Sequence, residues 1–400
     1  MIWSEPTELA SEITATPCSC ENAGAGAVAL VQTGKAMNRI RVMVVDDSAL
    51  MRKLISDILM KDPDLEVVNT AMDGLFALKK IPQAKPDVIT LDLDMPRMDG
   101  LTALRYIVND HRIPVVLVSS LTTKGGRLTL EGLALGAVDF ITKPKDAISL
   151  HLHEIAEELI KKVKMASRVK VGKAVFPASE RFPPQPVPAP KKRSQTELLK
   201  TVVAIGISTG GPNAISYMLP RLPEDFPAAV LIVQHMPEGF TRMFADRLNQ
   251  ACKIQVKEAQ EGDRLLPGSA LIAPGNRHLK ITKIGKGSVA VLSAAPPVNG
   301  HRPSADVLFD SVSQLYGADV IGVIMTGMGE DGARGLGRIR ACGGHTMAQD
   351  EESCVVYGMP KVAVEMGHVQ EVLALGDIPD RLSALVREVN TYAGKPGQTV

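Results

Sequence analysis

The chain has 400 residues, of which 45% are hydrophobic and 22% charged, and its formal net charge is +1. This length predicts two or three domains, and the near-neutral charge gives no electrostatic reason to expect a nucleic acid or an anionic membrane as partner. No apolar run reaches the ~20 residues that a membrane-spanning helix needs, and acidic residues interrupt the amino terminus where a secretion signal would lie. The five cysteines are few and mostly scattered, which favours a reducing compartment, so we expect a cytoplasmic protein.

The first 38 residues are small, polar and aperiodic, which predicts a disordered extension. Met37 stands immediately before the first strand pattern, so translation from this residue is an alternative that intact mass would test. Cys18 and Cys20 form a C-x-C pair without a second pair nearby, whereas a structural zinc site normally takes four ligands. This pair therefore argues weakly for a metal.

Residues 39–168 alternate short β-branched runs with amphipathic stretches. In the first such stretch Leu50, Leu54 and Ile58 recur at the spacing of one helix face. Strands that alternate with helices predict a doubly wound α/β domain with a parallel sheet. The predicted strands are Ile40–Val45, Val67–Asn69, Val88–Leu93, Pro114–Val118 and Val138–Ile141.

Polar residues mark the carboxyl ends of four of these strands. They are Asp46 and Asp47 after the first, Asp92 at the end of the third, Ser119 at the end of the fourth, and Lys143 after the fifth. The carboxyl ends of parallel strands form the edge where such sheets place their sites. Because three carboxylates repel each other, we predict Mg²⁺ bound by Asp46, Asp47 and Asp92. Asp92 is the predicted phosphoryl acceptor, Lys143 stabilises the transferred charge, and Ser119 binds the new phosphoryl oxygen.

The motifs Val44–Ser48, Leu91–Gly100 and Thr142–Pro144 resemble those of two-component receiver domains. Any one acidic residue at a strand end could be only a helix cap, but the joint placement favours the site. The resemblance covers residues 40 to about 160. It implies a flavodoxin-like fold, Asp92 as the phosphoacceptor and a sensor histidine kinase as the phosphodonor.

Residues 169–198 contain six prolines and then Lys191–Arg193, a composition that predicts a semi-stiff linker. Docking of this linker against a partner or a receptor is the alternative.

A second doubly wound α/β domain is predicted over residues 199–393, followed by a frayed end at 394–400. Its predicted strands are Val202–Ile205, Ala229–Val233, Ile254–Val256, Ala270–Ala273, Val289–Leu292 and Val320–Met325, and its predicted helices are 213–219, 239–250, 304–316, 333–341 and 378–391.

Ser208, His235 and Asp331 each lie beyond the carboxyl end of a predicted strand, so a parallel sheet would bring them together. Ser208 stands in a G-x-S-x-G turn, which exposes a nucleophilic serine. A glycine-rich turn that binds phosphate is the alternative, disfavoured because neither G-x-G-x-x-G nor a GK[ST] ending is present. We predict a triad in which His235 takes the proton from Ser208 and Asp331 fixes its tautomer. The other histidines considered as bases are His278, His301 and His345.

The glycines around Met328 allow backbone N–H groups to converge, which suits an oxyanion hole, although an ordinary flexible turn is the alternative. Thr209 is a candidate supporting residue beside the nucleophile. The chain order of the triad, Ser, His, Asp, differs from the Ser, Asp, His order of α/β-hydrolases, so that fold is not expected.

Five segments resemble the catalytic domain of the chemotaxis protein-glutamate methylesterases. They are Gly206–Gly211, Gln234–Thr241, Ala273–Gly275, His301–Ser304 and Thr326–Gly332. The resemblance extends over about 200–390 and implies hydrolysis of glutamyl methyl esters on methyl-accepting chemotaxis receptors, with release of methanol, and often deamidation of receptor glutamines. It implies no cofactor for the esterase chemistry, and we expect a monomer.

The same resemblance implies that the unphosphorylated receiver covers the catalytic face and that phosphorylation exposes Ser208. Two other functions remain open at this point: a hydrolase of a different ester or amide in a pathway outside chemotaxis, and a phosphorylation-gated binding module without catalysis. A nucleotide-binding Rossmann domain is a distant third.

Overall fold

The computed structural model describes residues 39–120, 122–143, 152–171 and 199–392. The predicted N-terminal extension with its cysteine pair, nearly all of the Pro-rich linker and the predicted frayed end lie outside the described residues.

The first sheet has five parallel strands in the order β2-β1-β3-β4-β5. The strands are β1 (Ile40–Val45), β2 (Leu65–Ala71), β3 (Val88–Asp92), β4 (Val115–Ser119) and β5 (Asp139–Thr142). Every residue of β3 and β4 is buried, as expected of central parallel strands with helices on both faces. This strand order is flavodoxin-like. The chain adds β2 on one side of β1 and β3 on the other, so the switch point of the strand order lies between β1 and β3. The predicted fold and all five predicted strands are confirmed.

Five helices cover this sheet, and polar caps set where several of them begin. They are α1 (Ala49–Leu59), α2 (Gly74–Ala84), α3 (Gly100–Tyr106), which continues as a π-helical turn over Ile107–His111, α4 (Thr123–Ala134) and α5 (Leu152–Ala166). Ser48, Asp73, Asp99 and Thr122 each accept a hydrogen bond from a backbone N–H in the first turn that follows. Such caps pair amide groups that a helix leaves free at its start.

The second sheet has seven parallel strands in the order β14-β13-β12-β6-β7-β9-β8. In chain order they are β6 (Thr201–Ile207), β7 (Ala228–Gln234), β8 (Gln255–Glu258), β9 (Ser269–Ile272), β12 (Val320–Ile324), β13 (His345–Gln349) and β14 (Glu371–Leu373), with β10 (His278–Ile284) and β11 (Gly287–Ser293) forming a separate antiparallel pair. β6 and β7 are buried throughout. The chain adds β7 on one side of β6 and later adds β12 on the other side. Open α/β sheets bind ligands at such a switch point in the strand order.

The helices of this half are α6 (Gly211–Met218), α7 (Phe240–Ala251), α8 (Ala305–Tyr316), α9 (Ala333–Ala341), α10 (Met359–Glu365) and α11 (Ile378–Tyr392). The sequence predicted five of these six helices and six strands of this half. It did not predict β10, β13, β14 or α10. β13 reads His-Thr-Met-Ala-Gln and β14 has three residues, so neither presents a run of β-branched or large apolar residues.

The two sheets belong to one compact unit, and helix α4 packs directly on the second half. The rings of Phe140 and Phe240 lie with their centroids 4.7 Å apart, and Asn213 donates a hydrogen bond to the carbonyl of Leu133 at 2.8 Å. At Gly126 of α4 an added Cβ would meet the methyl group of Met243, so α4 and α7 are in direct contact here. Among the described residues, no helix is long and apolar enough to cross a membrane.

Candidate active site

Ser208 is the first residue after β6, in the turn that leads into α6. Its amide donates to the carbonyl of Thr326 at 3.0 Å, and its own carbonyl accepts from the Gly211 amide at 2.8 Å. Gly210 has a φ of 77°, a left-handed conformation that glycine adopts without strain. At Gly327 a Cβ would lie 2.7 Å from the Cβ of Ser208, so only glycine lets the loop after β12 run this close to the serine.

His235 is the first residue after β7, the strand beside β6. Ile207 and Gln234 are paired in the register of these strands, so Ser208 and His235 leave the sheet edge side by side. The His235 amide donates to the Ile207 carbonyl at 3.1 Å. Nε2 of Gln234 donates to the carbonyls of both Ser208 (2.9 Å) and His235 (3.1 Å), and so ties the two turns together.

The His235 ring is oriented by Asp331. Nε2 of His235 lies 2.8 Å from Oδ2 of Asp331, and because a carboxylate can only accept, Nε2 carries the proton. In the part of the chain that the structure describes, Nδ1 of His235 is buried and has no hydrogen-bond partner. The lone pair of this tautomer is therefore on Nδ1, free to accept a proton.

Asp331 is fully buried, and hydrogen-bond donors surround its negatively charged carboxylate. It accepts from the hydroxyl of Ser304 at 2.6 Å, from the amide of Ala305 at 2.7 Å and from Nδ2 of Asn299 at 3.0 Å. Burial by itself would raise the pKa of Asp331, but the hydrogen bond with His235 and the others from Ser304 and Ala305 hold the pKa well below the ordinary carboxyl range. Asp331 therefore stays charged opposite His235.

Of the predicted supporting residues, Thr209 lies in the turn after β6 and Met328 in the glycine-rich turn after β12. Met328 is 36% exposed and belongs to the glycine turn that contacts Ser208 through Gly327. Thr209 is buried, and its hydroxyl donates to Oδ2 of Asp139 at 2.5 Å. Asp139 begins β5 of the first sheet, so a buried carboxylate of one half holds the residue next to the serine in the other.

An acidic pocket lies at the carboxyl edge of the first sheet. One ligand oxygen from each of Asp46, Asp47 and Asp92 lies within 4.8 Å of the others, and Lys143 Nζ is 2.8 Å from carboxylate oxygens of both Asp46 and Asp92. Burial raises the pKa of Asp92 above its ordinary value, although the ammonium of Lys143 acts in the opposite direction. Three carboxylate donors beside one ammonium fit Mg²⁺, which prefers oxygen ligands.

Ser119 lies at the end of β4 but is held by α4 in this structure. Its hydroxyl donates to the carbonyl of Gly125 at 3.2 Å and accepts from the hydroxyl of Thr129 at 2.5 Å. The sequence placed Ser119 at the correct edge of the sheet, and only the structure shows that its hydroxyl is bonded to α4.

Several residues of the site were not assigned a role from the sequence. Gln234, Asn299, Ser304 and Asp139 all contact the triad or the residue beside it. Only Asp139 carried a visible indication, because a carboxylate adjoins the apolar run of β5. Each of the other three also bonds a residue 26 to 32 positions away in the chain, so its role depends on tertiary contacts.

Two family models match the chain: one described as CheB methylesterase over residues 203–382, and one described as Response regulator receiver domain over residues 42–153. A protein-glutamate methylesterase/protein-glutamine glutaminase of Koribacter versatilis is 54% identical over 351 residues, covering 86% of this chain and 95% of the relative. The chain belongs to the CheB methylesterase family. A relative of the same printed name from Geobacter metallireducens is 49% identical over 345 residues, with the same coverage.

Among solved structures, the chain is similar to the CheB methylesterase catalytic domain of Thermotoga maritima. The two are 41% identical, the match covers 46% of this chain and 98% of that domain, and the TM-score is 0.46. Within the family model's range 203–382 lie Ser208, His235 and Asp331, and the acidic pocket lies within the receiver model's range 42–153.

Proposed function

We propose that this protein is a phosphorylation-activated serine hydrolase that demethylates glutamyl methyl esters on methyl-accepting chemotaxis receptors and deamidates receptor glutamines. Residues 39–168 act as the receiver and 199–393 as the catalytic domain, joined by the linker 169–198. The observation that carries the proposal is the 2.8 Å pair of His235 and Asp331 with a free Nδ1 beside the Ser208 turn. The names of the relatives support the choice of substrate.

In the first half-reaction the Oγ of Ser208 attacks the ester carbonyl and transfers its proton to Nδ1 of His235. Asp331 stabilises the imidazolium through Nε2. Collapse of the tetrahedral intermediate breaks the C–O bond to the methoxy group, which takes the proton from Nδ1 and leaves as methanol. The glutamyl group is then an ester of Ser208.

In the second half-reaction water attacks this acyl-enzyme and gives its proton to Nδ1 of His235. The new intermediate expels the Ser208 oxygen, which recovers that proton, and the product is a receptor glutamate. A glutamine substrate follows the same route, with ammonia in place of methanol. Backbone N–H groups of Thr209 and Met328 are the proposed donors to the oxyanion, because Thr209 directly follows the serine and Met328 directly follows Gly327, whose backbone runs close to the Ser208 side chain.

Asp92 is the proposed phosphoacceptor and a sensor histidine kinase the proposed phosphodonor. The carboxylate of Asp92 attacks the phosphorus of a phosphohistidine of the kinase, so the O–P bond forms as the P–N bond breaks and the imidazole leaves. Burial acts to lower the pKa of Lys143, but its ion pairs raise that pKa above the ordinary value, so the ammonium neutralises the developing charge. Mg²⁺ bound by Asp46, Asp47 and Asp92 would supply further neutralisation of the phosphoryl oxygens.

Replacing Asp92→Asn should abolish stimulation by a phosphodonor and leave the unstimulated rate in place, because the amide cannot form the acyl phosphate. For the wild type we expect stimulation of about 10-fold or more, within the ~5–150-fold range of typical coupling free energies. Methanol release from methylated receptor cytoplasmic fragment, with and without phosphodonor and Mg²⁺, measures this.

The matched control is Asp94→Asn, which changes an exposed aspartate two residues away that pairs with Lys124. It should be stimulated like the wild type. Stimulation of the Asp92 variant to the wild-type level would place the phosphoacceptor elsewhere.

The hydrogen bond from Thr209 to Asp139 supports a specific inhibitory contact between the halves. Asp139 also accepts from Nζ of Lys162 at 3.2 Å, and Phe140 beside it packs on Phe240. β5 continues from Asp139 to the residue before Lys143, which binds Asp92. A structural change at the phosphorylation site therefore needs to pass through only the few residues of β5 to reach the contact beside Ser208.

Replacing Thr209→Val removes only the hydroxyl of this contact, so it should raise the rate measured without phosphodonor. A hydrogen bond to a charged group contributes roughly 1.5–3 kcal/mol, so an increase of about 10-fold or more is expected. The control Thr201→Val removes a buried hydroxyl that binds Asn390, away from the receiver. An unstimulated rate of Thr209→Val equal to that of the wild type would argue against the contact as an inhibitory one.

A hydrolase of the same mechanism that acts on a different ester is the second candidate, because the geometry specifies acyl transfer and not the acyl group. Methanol release from receptor fragment by the wild type, lost in Ser208→Ala, distinguishes the two. No release from any receptor by a protein that accepts phosphate would favour the second candidate or a binding role.

A further inference from the structure

The ring of His301 lies flat against the ring of His235. The ring centroids are 3.8 Å apart and the planes differ by 9°. His301 is on a tight turn in which its amide and carbonyl both bond to Val298, at 2.9 and 3.0 Å. Asn299 and Gly300 at the tip both have positive φ, as the two central residues of a type I′ hairpin turn do.

This turn is fastened to the acidic residues of the site. Nδ2 of Asn299 donates to Asp331 at 3.0 Å and to Asp306 at 2.7 Å, so one amide group bridges two buried carboxylates. The guanidinium of Arg302, on the other side of His301, donates to Oδ1 of Asn276. The turn therefore presents the His301 ring in a set position over His235.

The charged groups around His301 are Asp331 behind His235 and the lysines Lys161 and Lys162 of α5. Burial, followed by the nearby His235, lowers the pKa of His301 to about 4, while Asp331 acts in the opposite direction. His301 is therefore uncharged near neutral pH, and it presents an aromatic face to His235 and no second cation. An uncharged ring over a cation is attractive, whereas two stacked cations would repel.

We propose that His301 is a positioning residue of the hydrolase, whose neutral ring holds His235 against Asp331 and stabilises the positive charge that arises on His235 when it accepts the Ser208 proton. The inference rests on the proposed function only for the use of the triad, and it is independent of which ester is cleaved. The proposed stabilisation comes from the π face of the ring, so a flat apolar ring at position 301 should serve in place of the imidazole.

Two substitutions distinguish the effect of the π face from the effect of a buried apolar side chain. His301→Phe keeps an aromatic ring, and His301→Leu keeps an apolar side chain of similar bulk without one. The readout is the rate at which a fluorophosphonate probe labels Ser208 in the full chain with phosphodonor and Mg²⁺, measured from pH 5 to 9. In this reaction the Oγ–P bond forms, the P–F bond breaks, fluoride leaves, and the serine proton goes to His235.

We expect His301→Phe to label within about 3-fold of the wild type and His301→Leu about 10-fold more slowly, a change equal to ~1.4 kcal/mol and of the size of a cation–π contact. The fall in labelling rate at low pH should also shift to lower pH in His301→Leu alone, because His235 then lacks the ring that stabilises its cationic form. Equal rates and profiles for the Phe and Leu variants would overturn the proposal. Matching thermal unfolding of the two variants confirms that both are folded.

Ser208→Ala, which should take up no probe, shows that the label reports the proposed nucleophile. Methanol release from receptor fragment is then measured on the same preparations. A wild type that is labelled at Ser208 but releases no methanol would refute the proposed substrate, and the contrast between the Phe and Leu variants would still decide the role of His301.

Discussion

Replacing Ser208→Ala should lower methanol release from methylated receptor fragment by about 10⁵-fold or more, to the rate that substrate binding and the oxyanion donors alone sustain. The variant keeps the backbone bonds of the turn, because the amide and carbonyl of Ser208 make them and its hydroxyl makes none of them. Binding of receptor fragment and thermal stability should therefore stay close to those of the wild type. The measurement is kcat for methanol release in the phosphorylated protein.

The matched control for this experiment is Ser313→Ala. Ser313 is a buried serine of α8 whose hydroxyl donates to the carbonyl of Asp310 in the same helix at 2.9 Å. It should retain the wild-type kcat. A Ser208→Ala protein that keeps even a tenth of the wild-type rate would exclude Ser208 as the nucleophile and point to catalysis by water.

Replacing Asp331→Asn should lower kcat by about 10³–10⁴-fold, a loss typical of a triad whose histidine takes the wrong tautomer. The carboxylate can only accept, which fixes the proton of His235 on Nε2. An asparagine can donate its amide hydrogen to Nε2, and the ring proton then moves to Nδ1, where it blocks acceptance of the proton of Ser208. The measurement is kcat with KM, and KM should change little.

The control for this substitution is Asp319→Asn, in the 3₁₀ turn after α8, away from the triad. Because Asp331 also holds Ser304 and Ala305, thermal unfolding of both variants must accompany the kinetics. A folded Asp331→Asn protein with the wild-type kcat would show that His235 needs no carboxylate partner and would contradict the assigned role.

Much of the fold follows from local patterns. Apolar β-branched runs predicted the central strands β1, β3, β4, β6 and β7, because strands buried on both faces must be continuously apolar. Edge elements follow less well: β14 has three residues and β13 contains polar ones. The strand conformation of β13 depends on pairing with β12, and that of β14 on pairing with β13. No local pattern encodes that pairing.

The candidate sites divide in the same way. The sequence by itself identified the residues proposed to do the chemistry, Asp92 in one half and Ser208, His235 and Asp331 in the other, because side chains at the ends of parallel strands must meet at one edge of the sheet. Only the tertiary structure decided which nitrogen of His235 faces Asp331, that His301 stacks on its ring, and that Asp139 of the receiver holds Thr209. These contacts join residues 66 to 96 positions apart or depend on the rotation of a single ring, and neither leaves a periodic trace in the chain.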